Sequence, residues 1–196
     1  MDNRPAAGLA GFIHRHWVAL LVVVLLVAIA GRVFGASDVH MRDQSRTMSY
    51  TVDMVANGHW LLPVDPDGLP TTKPLLVNVL QAPLVAVFGP QAWAFKLPSL
   101  LALALTVWLL VHVSRVTFAR FPDETMAFGL GQRTWALALT IGYYVLGAMQ
   151  LRLAWVARPD MLLIFFMTLG WWAAVRSLDL QQRAGWWVPA FWLSIV

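Results

Sequence analysis

Residues Leu97–Phe118 read LPSLLALALTVWLLVHVSRVTF, with no charged side chain before Arg115. About 20 apolar residues in a row are what a helix needs to cross a bilayer. The run opens on Leu97-Pro98, and proline is well tolerated in a first helical turn, where its missing N–H costs nothing. Working outward, Trp17–Phe34 (WVALLVVVLLVAIAGRVF) gives a second run of this kind. It is long for a signal-peptide core, and small residues suited to cleavage occur only around Gly35–Ser37, so it reads as a retained anchor. Two more spans are expected at Thr134–Leu151 and Met161–Val175. A fifth apolar run, Trp186–Val196, is cut off at the end of the chain, as in the amino-terminal part of a longer protein. The expected fold class is therefore all-α and membrane-integral: a multi-span helical bundle forming one domain over residues 1–196.

Composition agrees. Of 196 residues, 59% are hydrophobic and only 12% charged, whereas soluble domains average about a quarter charged. The eleven tryptophans suit a protein with two membrane–water boundaries, and Trp171, Trp172, Trp186 and Trp187 read as anchors there. The net charge of +4 comes from basic residues scattered among span flanks, with no stripe that would track a nucleic-acid backbone. There is no cysteine, which excludes disulfides and thiol chemistry. The five histidines show no metal-ligand spacing, and His112 reads as a helix-end residue.

Arginines set the orientation. Arg4 and Arg15 precede the first span, Arg115, Arg120 and Arg133 lie between the second and third, and Arg176 and Arg183 follow the fourth. The positive-inside rule puts these segments in the cytoplasm. The polar loop 35–96 and the short Arg152–Asp160 connection then lie outside, which in a bacterium is the periplasm. Within the loop, Leu75–Phe88 (LLVNVLQAPLVAVF) is too short to span and carries Asn78, Gln81 and Pro83, so an interfacial or re-entrant helix is expected.

Three places could carry chemistry. A helix is predicted from about Asp43 to Ala56, ending at Asn57-Gly58, with Thr47, Tyr50 and Met54 as a stripe lying on the membrane surface. Asp43 and Arg46, three apart, share one face. The carboxylate could accept a proton from an attacking hydroxyl while the guanidinium holds a phosphate, or the two could form a plain solvated ion pair. Lys73 sits between Thr72 and Pro74 in LPTTKPL, a rigid turn that could offer its ammonium to a lipid phosphate or simply anchor the loop. Arg158-Pro159-Asp160 stands at the outer mouth of the fourth span, where ionisable groups are costly, and Asp160 would also favour the helix dipole there.

In order and spacing these pieces resemble the polyprenyl-phosphate-sugar glycosyltransferases of the GT-C type, which include the lipid A aminoarabinose transferase and, more distantly, the protein O-mannosyltransferases. The matching segments are Asp43-Gln44-Ser45-Arg46, Gly58-His59-Trp60-Leu61-Leu62-Pro63, Thr72-Lys73-Pro74-Leu75, Leu80-Gln81, Phe88-Gly89, Lys96-Leu97-Pro98 and Arg158-Pro159-Asp160. The resemblance covers residues 17 to 176. It implies a GT-C-like bundle with amphipathic juxtamembrane helices in the first outer loop, and an enzyme of the bacterial inner membrane that is active on its periplasmic face. The donor would be a polyprenyl-phosphate-linked sugar and the acceptor a lipid, protein or glycan, with membrane lipids as further partners and no nucleic acid. Asp43 would be the catalytic base, Arg46 and Lys73 would bind the donor phosphate, and Asp160 with Arg158 would support them. Gln44 and Thr72 depart from the family, which has glutamate at both places. No metal or other cofactor is therefore assigned, and a divalent cation stays open as a weaker alternative. The non-enzymatic alternatives are a transporter subunit or a membrane scaffold, and an inactive relative of the family is a third.

Overall fold

The computed structural model describes residues 42–118, 131–147 and 152–178, together with scattered helical positions between His16 and Ala30. The described residues are mostly helical, with no β-strand among them. Five helices follow in order: α1 Arg42–Asn57, α2 Leu76–Phe88, α3 Ala92–Phe118, α4 Gln132–Leu146 and α5 Asp160–Leu178. Among them one stretch, Ala92–Thr117, is long and apolar enough to cross a membrane. The predicted first span is seen only at its scattered helical positions, and the fifth lies outside the described residues.

The element ends follow local chemistry. Helix α1 stops at Asn57 because Gly58 takes φ +73°, a conformation that disfavours other side chains. Helix α2 stops at Gly89 (φ +77°), whose N–H donates to the Val85 carbonyl at 2.9 Å. Helix α3 starts five residues before the expected Leu97, which puts Pro98 inside it. At this seventh position Pro98 cannot donate to the Ala94 carbonyl, and its ring crowds that carbonyl. Helices α4 and α5 cover most of the third and fourth expected spans.

Helix α3 is the centre of the packing and meets α2, α4 and α5. Ala102 and Leu103 pack with Met161 and Leu162, and Leu109 and Val113 pack with Trp172, so contacts advance together along α3 and α5. The two helices are thus parallel, with the start of α5 level with Ala102 and Leu103, about three turns into α3. Tyr144, near the end of α4, joins the cluster at the start of α3, so α4 runs the opposite way. Trp172 is not a boundary anchor as expected: it is buried against α3, with its ring 6.4 Å from Trp108, while Trp171 faces out. His112 is not at a helix end either; it lies inside α3, stacked on Trp108 at 4.3 Å.

Helices α1 and α2 join α3 through a polar seam. Asn78 Nδ2 donates to the Thr47 carbonyl (2.8 Å) and to Thr51 Oγ1 (2.9 Å). Thr51 Oγ1 donates to Gln81 Oε1 (2.7 Å), and Gln81 Nε2 donates to the Phe95 carbonyl (2.7 Å). The three side chains, Asn78, Thr51 and Gln81, are buried, and each finds a partner, as buried polar groups must. The seam corrects the expected orientation of α1. Thr47, Tyr50 and Met54 are buried in the helix that packs on α2, where Asn78 and Gln81 supply polar partners. Helix α2 instead turns Leu76, Val79, Leu80 and Val87 outward.

Candidate functional site

The first turns of α1 and α5 and the 71–75 turn meet at one place. Asp43, in the first turn of α1, presents Oδ1 to Lys73 Nζ at 3.5 Å and Oδ2 to Arg158 Nη2 at 3.9 Å. Arg158 in turn holds Asp160 in the first turn of α5, with Nε 2.9 Å from Oδ2. Two carboxylates and two cations from three separate segments therefore form one cluster. Lys73, Arg158 and Asp43 are 42%, 33% and 54% exposed, so the cluster is open to a ligand. Ion pairs this exposed contribute only about 0–1 kcal/mol each, which is too little to explain the cluster as a stabilising device.

Arg46 goes elsewhere. Its Nη2 pairs with Asp65 Oδ2 at 3.2 Å and lies 3.4 Å from the Tyr50 hydroxyl. Sharing a helix side with Asp43 did not bring the two together, because Asp65 is nearly buried and is the better-fixed partner. Asp65 accepts the N–H groups of Asp67 (3.1 Å) and Leu69 (2.9 Å), which lock a tight turn with Gly68 at φ +77°. Of the five residues singled out in the sequence, four converge and the fifth lies on the neighbouring flank of α1.

The loop bearing Arg158 is held from two sides. Gln44 Oε1 accepts the Ala157 N–H at 3.1 Å, and Ser99 Oγ donates to the Val156 carbonyl at 2.7 Å. Both side chains are fully buried. Gln44, which the family pattern would make a glutamate, is thus used as a neutral hydrogen-bonding strut beneath the cluster. Lys96, also buried, sits 5.9 Å from the Trp155 ring in the same layer. Thr72 is exposed. Among the described residues, no group of three or more His, Asp or Glu side chains is placed to hold a metal ion.

Compared with protein-family models, curated proteins and solved structures, the chain matches none. Its chemistry has to be read from the site itself.

A second brace fixes the loop between α1 and Lys73. Asp53 accepts hydrogen bonds from Asn57 Nδ2 (2.7 Å) and the Val64 N–H (2.8 Å), and His59 Nδ1 lies 3.0 Å from it. The Asn57 amide, the Val64 N–H and His59 together hold the Asp53 carboxyl below the usual carboxylate range. Sequence reasoning missed Asp53, Asp65 and Ser99. The signal for Asp53 was present, since Asn57 and His59 follow it at four and six residues across a glycine stop. The turn at Asp65 was marked by Asp65-Pro66-Asp67-Gly68, but its pairing with Arg46 and the Ser99 bond to Val156 join segments far apart in the chain.

Proposed function

We propose that this chain is a membrane glycosyltransferase of the GT-C type, or its amino-terminal part. It would move a sugar from a polyprenyl phosphate donor to an acceptor hydroxyl on the periplasmic face of the bacterial inner membrane. The observation that carries this reading is the bracketing of Asp43 by Lys73 and Arg158. The acceptor oxygen attacks the anomeric carbon, and the bond from that carbon to the phosphate oxygen breaks. The electron pair stays on the departing lipid phosphate, and the hydroxyl proton passes to Asp43. Such a leaving group needs cationic stabilisation more than a general acid, which suits a lysine and an arginine side by side. The incoming phosphate competes with Asp43 for both cations and so frees the carboxylate for the acceptor hydroxyl.

The multi-span bundle belongs to the same proposal. Alternating directions in α3, α4 and α5 are what three successive passes require, and α3 has the length and hydropathy of a span. The cluster lies where α5 begins, beside the amino-terminal part of α3, the end that the arginine distribution assigns to the outside.

Replacing Asp43 by Asn tests the base. Transfer should fall by about 10²–10⁴-fold, as for loss of a general base, while polyprenyl phosphate is still bound. Full transfer by Asp43→Asn in the complete protein would overturn the assignment. The use of Gln44 as a neutral strut favours a second reading, an inactive relative that binds the lipid phosphate without turnover. Binding of polyprenyl phosphate with no transfer in the wild-type protein would select it.

A further inference from the structure

A cavity of about 290 Å³ opens on the flank of α1 next to the charge cluster, between the helix and the 65–69 turn. Arg42, Ser45, Arg46 and Ser49 form its helix wall, on one face by helical spacing, and Asp65 and Asp67 stand opposite. Two guanidiniums against two carboxylates leave the lining electrically balanced.

The hydrogen-bonding capacity is mixed. Arg46 lines the cavity while paired with Asp65 through Nη2, and no carboxylate among the described residues pairs with Arg42. Both guanidiniums can only donate. Ser45 Oγ gives its proton to the Arg42 carbonyl (2.9 Å) and Ser49 Oγ to the Arg46 carbonyl (2.8 Å), so each hydroxyl offers lone pairs to a ligand. The Asp67 carboxylate, paired with no described cation, adds further acceptors. An anion would meet two carboxylates and two committed hydroxyls, and a cation would meet two guanidiniums. A neutral ligand that carries donors and acceptors on adjacent atoms satisfies every group, and Leu69 gives its C–H face an apolar patch.

We propose that this cavity binds one monosaccharide ring, held by hydroxyl contacts to Arg42, Arg46, Ser45, Ser49 and Asp67. Its place in the reaction, as the seat of the sugar beside the phosphate-holding cluster, rests on the glycosyltransferase reading. The binding itself is measurable without turnover.

The test uses the full chain in detergent and a methyl hexoside bearing a photoreactive diazirine. Saturable labelling is expected in peptides containing residues 42–49 or 65–69. Ser45→Trp fills the cavity from an exposed position and should cut labelling by about tenfold or more, the loss of roughly 1.4 kcal/mol of binding. Val52→Trp, at an exposed α1 position that does not line the cavity, should leave it unchanged. No saturable labelling of the wild type, labelling retained in Ser45→Trp, or displacement by inorganic phosphate more readily than by unlabelled methyl hexoside each overturns the sugar site. Polyprenyl phosphate binding is measured on the same samples. Its absence alongside hexoside labelling would sink the glycosyltransferase reading and leave the sugar site standing.

Discussion

Gln44 Oε1 accepts a hydrogen bond from the Ala157 amide at 3.1 Å, joining the first turn of α1 to the loop that carries Arg158. Both residues are fully buried, so water cannot replace either partner. Gln44→Leu would strand the Ala157 N–H, a loss of about 1–3 kcal/mol. A lower thermal midpoint is expected in detergent, together with weaker polyprenyl phosphate binding as Arg158 loses its support. An unchanged midpoint would remove Gln44 from the architecture of the site.

The two cations beside Asp43 and the one beside Asp65 should separate cleanly. Lys73→Ala and Arg158→Ala are each expected to weaken polyprenyl phosphate binding, by about 1.5–3 kcal/mol for a hydrogen bond to a charged group. Arg46→Ala should change it little, because that guanidinium is held by Asp65. Titration of the three variants with a short-chain polyprenyl phosphate checks this. Equal losses in all three would mean that ligand binding pulls Arg46 into the cluster.

The seam between the helices should behave as a unit. Thr51→Val and Gln81→Leu each break a buried network, whereas the pair removes both ends of one hydrogen bond. Their destabilisations should therefore be non-additive, with a coupling of about 0.5–3 kcal/mol in a double-mutant cycle. Additive effects would show that the bond has little energetic weight.

Asp53 gives a pH dependence of known sign. Its folded-state pKa is depressed, so its contribution is present above roughly pH 4, the ordinary value of an unfolded aspartate. That contribution is lost as the pH falls through the lower folded-state value. The stability gap between wild type and Asp53→Ala should shrink as the pH is lowered towards about 3. A gap that is constant across this range would contradict the depressed value.

Much of this was legible in the chain because it is local. The end of α1 was marked by Asn57-Gly58, the extent of α2 by an apolar run with polar interruptions, and the Arg158–Asp160 pair by its spacing. What escaped prediction depends on partners far away in sequence. Periodicity gave Thr47, Tyr50 and Met54 a common side, but only Asn78 and Gln81, delivered by another helix, decided that it faces inward. Along the chain Arg46 has only the Asp43 carboxylate within one helical turn, and Asp65 lies 19 residues away. The buried turn at Asp65 settled the choice, and no pattern around Arg46 encodes that turn. The start of α3 was set too late because Pro98 reads as a helix opening, and nothing in Ala92–Lys96 contradicts that reading.

The seam also has a consequence for synthesis. Helix α1 is made before α2: Thr47 and Thr51 can turn their hydroxyls back to the Asp43 and Thr47 carbonyls within it, but Thr51 cannot engage Asn78 and Gln81 until they have followed. Gln81 must then wait for Phe95, at the start of the next helix. The links between helices are thus completed by segments made later, and the α1–α2 pair is not fully joined before the start of α3 has been delivered. Stalling translation just before residue 92 should leave α1 and α2 as loosely held, protease-sensitive segments, and release of a few more turns of α3 should close them.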